Sequence, residues 1–199
     1  MVTPQPIIHI NGYPGVGKLT IATALEKLMP GSKVIHNHML INPVDAVLSR
    51  SDRGYQELRR SIRKAIFEPI ADNEATFKTT FIFTDFQSTD AIGSGVCKEY
   101  ETLARDRGCM FLPIVLTCDE DVNLQRLISE DRAEHKKLTD VELVRDFRRK
   151  SEIYSFSGND AALKLDVTYS TAEEAAQEIR HHCELKILEA ALKLCEKCA

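Results

Sequence analysis

HINGYPGVGKLT, residues His9–Thr20, spaces two glycines and a lysine as Gly12-x-x-x-x-Gly17-Lys18. An apolar, β-branched run precedes it and an amphipathic helical pattern follows it, so the stretch predicts a strand, a loop and a helix in that order. Glycine backbones can curl around an anion, and the first turn of the helix adds its positive end. We therefore predict that this loop binds the phosphates of a nucleotide, with Lys18 reaching the terminal ones.

One position departs from the usual phosphate-binding pattern, because Leu19 stands where a serine or threonine ordinarily touches Mg²⁺. Leucine cannot coordinate a cation, whereas Thr20 carries a hydroxyl one residue later. We expect Mg²⁺ to be held mainly by nucleotide oxygens, water and Asp85, and Thr20 to bond an inner phosphate. The loop residues predicted to contact the nucleotide are Gly12, Tyr13, Pro14, Gly15, Val16, Gly17, Lys18, Leu19 and Thr20.

The composition limits the class of protein and its partners. The chain has 199 residues, of which 43% are hydrophobic and 28% charged, as expected for one globular domain over residues 1–199. A formal net charge of −4 gives no general attraction to nucleic acid or to an anionic membrane. No apolar run approaches the roughly 20 residues that span a bilayer, and the amino terminus lacks the pattern of a secretory signal. We expect a cytoplasmic protein without a membrane partner.

The rest of the chain alternates strand-like and helix-like segments. Such alternation is typical of a parallel sheet with helices on both faces, joined by right-handed crossovers. Ligands of such sheets gather where the strands end. The predicted strands are Ile7–Ile10, Lys33–His36, Thr79–Asp85, Met110–Thr117 and Leu163–Tyr169.

Capping residues and proline mark the boundaries of the helices in the first half of the chain. Asn42 followed by Pro43 is typical of a helix start. A longer helix is predicted from about Gly54 onward, and Pro69 is expected to kink or end it. The apolar stripe of this helix is predicted to consist of Leu58, Ile62, Ala65, Ile66 and Ile70.

Two capping boxes are predicted further on, Thr139 with Glu142 and Thr171 with Glu174. The charged stretch before the first box, about 129–139, has no apolar periodicity and is interpreted as a lid. The second box opens a long helix over about 172–198, which we expect to pack on the sheet or, in a homo-oligomer, on a partner. Its apolar stripe is predicted to consist of Ile179, Cys183, Ile187, Ala191 and Leu194.

Asp85 ends the apolar run TTFIFTD and so follows the most strongly predicted buried strand. A carboxylate at this edge of a parallel sheet can orient water on Mg²⁺ or accept a proton from an attacking hydroxyl. The alternative is an ordinary helix N-cap. Gln87 is a second, weaker candidate for a contact with the substrate.

His36, Asn37 and His38 follow the second predicted strand and are candidates for contacts with a phosphate acceptor. A histidine can accept a hydroxyl proton near neutral pH or simply bind the substrate by a hydrogen bond. If the segment stays extended, alternate residues point to opposite sides and only one histidine faces the site. A purely local structural role is the alternative.

The loop Gly12–Thr20 resembles the G-x-P-G-x-G-K-x-T loop of adenylate-kinase-like proteins, which include nucleoside monophosphate, shikimate and gluconate kinases and chloramphenicol phosphotransferases. Together with HNHMLINPV, residues 36–44, it also resembles P-loop proteins often labelled AAA-family ATPases. The resemblance implies a three-layer α/β/α fold with a five-stranded parallel sheet. It also implies a helical segment on the substrate side after the second strand, and a lid after the fourth.

The same resemblance assigns roles to cations in and near the lid. It implies that Arg126 stacks on adenine and that Arg132 contacts phosphates. Further candidates for the phosphate contact are Lys136, Lys137, Arg145, Arg148 and Arg149. One departure matters, because residues 84–87 read TDFQ in place of the D-G-F-P-R of adenylate kinases. The usual arginine for a nucleoside monophosphate is therefore missing, and the acceptor stays open.

The residues and the resemblance leave three functions open. The first is an ATP-dependent kinase for a hydroxyl of a small metabolite, with Lys18 and Arg132 stabilising transferred charge and Asp85 or His36 as base. The second is a nucleotide-dependent switch or binding module with slow hydrolysis. The third is a kinase for a nucleoside or a nucleic-acid end, which the acidic balance argues against. A regulatory GTPase is disfavoured because no N-K-x-D motif occurs, and an AAA+ motor because the chain lacks room for a second, helical domain.

Overall fold

A computed structural model of the protein describes residues 3–128 and 140–198. Its strands are β1 (Ile7–Asn11), β2 (Ser32–His36), β3 (Thr80–Asp85), β4 (Phe111–Thr117) and β5 (Leu163–Asp166). Its helices are α1 (Lys18–Leu28), α2 (Asn37–Asp45), α3 (Tyr55–Asp72), α4 (Ala91–Arg107), α5 (Glu120–Leu127), α6 (Val141–Lys150) and α7 (Ala172–Cys198). A short 3₁₀ turn, Glu74–Thr76, precedes β3.

The five strands form one parallel sheet in the order β2-β3-β1-β4-β5, which confirms the predicted α/β fold. The register brings together the carboxyl ends of the adjacent strands β1, β2 and β3. Asn11 of β1 lies beside Asp85 of β3, and His36 of β2 lies beside Thr84 of β3. This edge of the sheet is where the predicted site residues converge.

Alternating side chains of the central strand divide the core between the two faces of the sheet. Ile8 and Ile10 of β1 belong to a buried cluster with residues of α1 and α7, such as Leu25. Ile7 belongs to a second cluster, which includes Tyr100 of α4 and residues of α3. Successive residues of a strand point to opposite faces, so both faces of β1 are covered and its run of apolar residues is buried throughout.

Helix α2 begins at Asn37, and the predicted start at Asn42 is therefore wrong. His36 is extended, with φ −84° and ψ 152°, so the chain passes from β2 directly into the helix. Pro43 lies inside α2, where it removes one backbone hydrogen bond. The buried face of the helix, which includes Leu40 and Val44, offsets that loss through packing.

Helix α3 also differs from its prediction. It continues through Pro69 and ends at Asp72, and the predicted apolar stripe is only partly buried, since Ile66 is 38% exposed. The buried positions include Arg63, whose Nε lies 2.7 Å from the carboxylate of Glu99. The spacing of apolar residues did not predict this buried face of α3, because one of its positions is an arginine that is paired with a carboxylate.

The carboxy-terminal part confirms one capping box and changes the other. Thr171 Oγ1 accepts from the Glu174 amide while Glu174 accepts from the Thr171 amide, as predicted. The N-cap of α6 is Asp140, whose side chain accepts from the Leu143 amide, in place of the predicted Thr139. Thr139 and the predicted lid, about 129–139, lie outside the described residues.

Helix α7 packs on α1 along part of its length. Its buried positions include Ile179 and Cys183, whereas Ile187 is 40% exposed and Ala191 is also exposed, so burial of the predicted stripe does not continue past Cys183 to these two positions. The side chain of Leu194 lies outside the described residues, and a homo-oligomer through this helix stays a prediction. Within residues 3–128 and 140–198, no helix combines the length and apolarity needed to cross a membrane.

Candidate active site

A cleft of about 1510 Å³ opens at the carboxyl edge of the sheet. The phosphate loop, which we define as residues Gly12–Lys18, lines this cleft through Pro14–Lys18 and not through Gly12 or Tyr13. A second group of lining residues surrounds the segment that is predicted to contact an acceptor, and on that prediction we call it the acceptor wall: His36, His38, Asp45, Arg50, Tyr55 and Arg59. Further lining residues from the predicted site are Leu19, Thr20, Asn37, Asp85 and Arg126.

The phosphate loop depends on glycine at positions where a side chain does not fit. Gly15 has a φ of 92°, and a Cβ there would lie 2.6 Å from Asn123 Nδ2 and 2.9 Å from the backbone oxygen of Asn123. Gly17 is the N-cap of α1 with a φ of 103°. Both residues adopt backbone conformations that residues with a Cβ rarely take. The loop therefore leaves its backbone uncovered by side chains where it leads into the amino-terminal end of α1. This geometry suits a bound phosphate.

Lys18, the first residue of α1, extends back across the loop. Its Nζ donates hydrogen bonds to the carbonyl oxygens of Gly12, at 2.6 Å, and Tyr13, at 2.9 Å. The ammonium group thus lies against the backbone that is predicted to hold phosphate. A cation in this place stabilises negative charge on the terminal groups of a polyphosphate.

Asp85 lies at the base of the cleft and is only 1% exposed. One carboxylate oxygen accepts from the Phe86 amide at 2.8 Å, and the other accepts from Gln87 Nε2 at 2.6 Å and from the Tyr100 hydroxyl at 3.4 Å. Burial raises the pKa of Tyr100 well above its ordinary value, so the hydroxyl remains a donor. These donors hold the carboxylate in a single orientation toward the cleft.

Gln87 is a predicted substrate contact, but its side chain points to Asp85 and is 5% exposed. Its position identifies it as a support for the carboxylate. The backbone of Gln87 is held in turn by Asn11, whose Oδ1 accepts from the Gln87 amide and whose Nδ2 donates to the Gln87 carbonyl oxygen. Asn11 Oδ1 also accepts from the Gly12 amide at 2.9 Å. One buried asparagine therefore fixes the start of the phosphate loop relative to the segment after Asp85.

His36, Asn37 and His38 all line the cleft, and the rings of the two histidines lie 6.3 Å apart. The expectation that only one histidine faces the site is wrong, because Asn37 and His38 belong to the first turn of α2 and not to an extended segment. The chain changes direction where β2 passes into α2 after His36, so the alternation of an extended strand does not continue to His38. Which of these side chains contacts a substrate stays a prediction.

The acceptor wall contains cations that sequence reasoning missed. Arg59 and the exposed Arg50 line the cleft next to Tyr55, whose hydroxyl donates to Asp45 Oδ1 at 2.6 Å. Arg59 lies one helical turn after Tyr55, so the helical spacing could have located it once α3 was placed beside the cleft. Burial raises the pKa of Tyr55, which therefore remains a hydrogen-bond donor.

Arg126 of α5 lies at the rim of the cleft and contacts the backbone beside it. Its guanidinium donates to the carbonyl oxygens of Val167, at 2.9 Å, and Thr168, at 3.1 Å, and lies 3.5 Å from that of Val16. The position beside the phosphate loop suits a contact with a bound nucleotide. The predicted stacking on adenine stays a prediction.

The candidate arginines of α6 have different surroundings. Arg145 pairs with Glu142 at 2.6 Å, and Arg149 pairs with Asp146 at 3.6 Å while its side chain is 69% exposed. Arg148 contacts Asn123 and the ring of Tyr13, so it alone among these three touches the phosphate loop. Arg132, Lys136 and Lys137 lie outside the described residues, and their predicted phosphate contacts stay predictions.

His9 is an unusual residue beneath the site. It is fully buried in β1 with its ring 4.2 Å from that of Tyr100, and both ring nitrogens lack a hydrogen-bond partner among the described residues. Desolvation by burial lowers the pKa of His9 to about 4, against an opposing effect of Asp85. The imidazole is therefore neutral at physiological pH.

A nucleotide with Mg²⁺ fits this site by its chemistry. The backbone of the phosphate loop has no room for a side chain at Gly15, and Lys18 places its ammonium group against the same loop. Both features suit a polyphosphate. In the described part of the chain, no group of three His, Cys, Asp or Glu side chains is placed to hold a metal ion. Magnesium that stays on phosphate oxygens and water needs few protein ligands, and Asp85 is the residue that would supply one, while Thr20 would bond an inner phosphate.

Comparison with known proteins agrees with the fold. A family model described as an AAA domain matches residues 8–155. The chain is similar to a gluconokinase from Sinorhizobium meliloti, with 14% identity, a TM-score of 0.64, and coverage of 97% of this chain and 99% of that one. No curated protein matches the chain.

Two further solved structures share the fold. The thymidylate kinase of Candida albicans has 16% identity and a TM-score of 0.59 over 92% of each chain. The APS kinase of Mycobacterium tuberculosis, solved with AMPPNP and APS, has 18% identity and a TM-score of 0.54 over 92% of this chain and 99% of that one. At these identities the likeness establishes the P-loop kinase fold and nothing finer.

Proposed function

The chain belongs to the AAA-domain family, and we propose that it is an ATP-dependent phosphotransferase that moves the γ-phosphoryl group to a hydroxyl of a small metabolite. The observation that carries the proposal is the shared cleft, which is lined by the phosphate loop with Lys18, by the polar side chains of the acceptor wall and by the buried Asp85. Such a cleft has room for a donor and an acceptor together.

The residues of the cleft divide the work of phosphoryl transfer. ATP supplies the transferred group when bound. The phosphate loop binds its phosphates through backbone amides, and Lys18 neutralises charge that develops on the oxygens. Asp85 accepts the proton of the attacking hydroxyl or orients water on Mg²⁺, and its three donors keep it in place for either task. His36 is the second candidate for the base, since it begins the acceptor wall beside Thr84.

The acceptor wall favours an acceptor with an anionic group. Glu99 of α4 pairs with Arg60 and Arg63 of α3, whereas no carboxylate in the described part of the chain lies at ion-pair distance from Arg59. A half-buried arginine on the wall of a cleft suits a carboxylate or phosphate of a ligand. Asp45, held by Tyr55, adds an acceptor for hydroxyl groups. A hydroxylated acid or a phosphorylated alcohol combines both features.

The experiment that tests the activity searches for the acceptor and for phosphoryl transfer together. The protein is incubated with Mg-ATP and a metabolite extract, and mass spectrometry identifies any compound that gains a phosphate. The Lys18→Ala variant serves as the paired sample. The proposal expects a phosphorylated metabolite that depends on Lys18 and ADP release that rises with the acceptor. Steady ADP release that no metabolite stimulates would instead favour a nucleotide-dependent switch, and phosphorylation of oligonucleotide ends would favour a nucleic-acid kinase.

A further inference from the structure

We propose that Arg148 is a positioning residue that holds the phosphate loop in its binding conformation from α6. The inference rests on nucleotide binding by the loop, as in the proposed function, but not on the identity of the acceptor. We call the group of Tyr13, Asn123 and Arg148 the clasp, because these three side chains come from the loop, α5 and α6 and meet at one point.

The guanidinium of Arg148 is engaged on several sides. One Nη donates to Asn123 Oδ1 at 3.0 Å and the other to the Cys118 carbonyl oxygen at 3.0 Å, while Nε lies 3.8 Å from a carboxylate oxygen of Glu120. The central carbon lies 5.0 Å from the centre of the Tyr13 ring, a cation–π contact. Only 18% of the side chain is exposed. A planar fork can make this set of contacts, and a lysine ammonium cannot.

Asn123 transmits the position of Arg148 to the tip of the loop. It is fully buried, and its Nδ2 donates to the Pro14 carbonyl oxygen at 2.9 Å while its Oδ1 accepts from Arg148. The same asparagine occupies the space where a side chain on Gly15 would lie. The backbone at Pro14 and Gly15 therefore rests directly on a residue whose orientation Arg148 sets.

Tyr13 joins the loop to the end of α6 a second time. Its hydroxyl donates to the carbonyl oxygen of Ser151, directly after the helix, at 2.5 Å. Its ring also contacts Phe86, 5.8 Å between centres, and Phe86 contacts Phe147 of α6 at 5.3 Å. Burial raises the pKa of Tyr13, so the hydroxyl stays a donor through the physiological range.

These contacts assign Arg148 a role that depends on geometry and not on its charge. A preorganised loop loses little freedom when phosphate binds, whereas a loop released from the clasp must be ordered by the ligand. Small displacements of binding groups can cost about 10²-fold in rate, so a loosened loop should weaken both binding and transfer. An arginine that acted only by long-range attraction of phosphate would be replaceable by lysine, which carries the same charge.

The test measures the affinity of the full-length protein for a fluorescent ADP analogue, together with thermal unfolding. We expect Arg148→Lys, which keeps the charge, to weaken binding about tenfold, and Arg148→Gln to weaken it by a similar factor. Tyr13→Leu should do the same, and the double variant Tyr13→Leu with Arg148→Lys should bind no worse than either single variant. Lys150→Gln, which removes an exposed cation of α6 paired with Asp146, is the matched control and should bind as the wild type does.

The outcomes separate the clasp from the proposed function. The inference would be overturned if the Arg148→Lys variant bound the ADP analogue as tightly as the wild type. Weak binding by Arg148→Gln would then show that the charge of residue 148 matters, and normal binding by Arg148→Gln would show that residue 148 has no role in binding. Additive losses of affinity in the double variant would overturn it as well. So would a variant that unfolds at a lower temperature but binds with unchanged affinity when measured well below that temperature. Wild-type protein that binds ADP but phosphorylates nothing would remove the phosphotransferase proposal and leave the clasp standing.

Discussion

The phosphate loop and the acceptor wall line the same cleft, yet they differ in how firmly the surrounding structure holds them. The loop is fixed from beneath by buried polar side chains, Asn11 at its start and Asn123 at its tip, both 0% exposed. The acceptor wall is more open to solvent, since two of its charged members, Asp45 and Arg50, are exposed and Arg59 is half-buried. A polyphosphate can be bound by a rigid, general cradle, whereas the wall must match one acceptor by side-chain chemistry.

The first way to test this comparison, with the largest expected effect, is to change Asp85, the buried carboxylate that lines the cleft together with both regions. Asp85→Asn removes the carboxylate but keeps the size of the side chain. We expect phosphoryl transfer to fall by at least about 10²-fold, as for loss of a general base, while ATP affinity changes only a few-fold. Single-turnover transfer and equilibrium binding measured on the same preparation separate the two effects. Transfer that stays within a few-fold of the wild type would remove Asp85 from the chemistry.

The second way is to damage only the cradle. Gly15→Ala would place a Cβ 2.6 Å from Asn123 Nδ2 in a backbone conformation with φ 92°, and we expect ADP affinity to fall by at least about tenfold and stability by about 1–3 kcal/mol. Gly95→Ala is the matched control, because a Cβ there meets nothing within 4 Å inside α4 and should stabilise the protein by about 0.5–1 kcal/mol. Gly15→Ala protein with normal affinity would show that the loop is less rigid than its contacts indicate.

The third way is to change only the acceptor wall. Arg59→Gln should raise the KM for an anionic acceptor about tenfold and leave the affinity for ATP unchanged, because the lost contact is to the acceptor alone. Arg60→Gln, on the same helix but paired with Glu99 and 71% exposed, is the control and should change neither value. Paired acceptors, each an acid and its uncharged counterpart, complete the measurement. A preference for the uncharged member would contradict the anionic acceptor while leaving phosphoryl transfer intact.

The last prediction concerns the stability of the fold beneath the loop and not binding or transfer. The pKa of His9 is lowered by burial to about 4 from 6.5, so the unfolded chain binds the proton more readily than the folded protein does. Its contribution is therefore fully present above about pH 6.5 and is lost as pH falls toward 4, by at most about 3 kcal/mol. His9→Phe should flatten the loss of stability in this window, as followed by denaturant unfolding at several pH values. His181→Gln, at an exposed position of α7, should keep the wild-type slope.

The difference between the two regions also explains what could be predicted from the sequence. The phosphate loop is recognisable because its glycines and Lys18 are contiguous and lie between a strand and a helix. Asp85 is recognisable because it ends a buried strand. Both signals are local, and the parallel sheet follows from the alternation that surrounds them.

The acceptor wall and the clasp could not be predicted in the same way. Arg59 becomes a candidate only when α3 is found beside the cleft, and an arginine on a helix is usually a solvated residue. Asn123 and Arg148 act on residues more than a hundred positions earlier in the chain, including Pro14. Such contacts arise from packing, and no spacing in the sequence records them.

Calorimetry of ATP binding to the wild-type protein, with and without Mg²⁺, is the decisive measurement for the phosphate loop. We expect saturable binding at one site, which Lys18→Ala weakens by at least about tenfold at unchanged unfolding temperature. If neither ATP nor GTP binds the folded wild-type protein, the loop does not hold a polyphosphate, and nucleotide binding by this site is refuted.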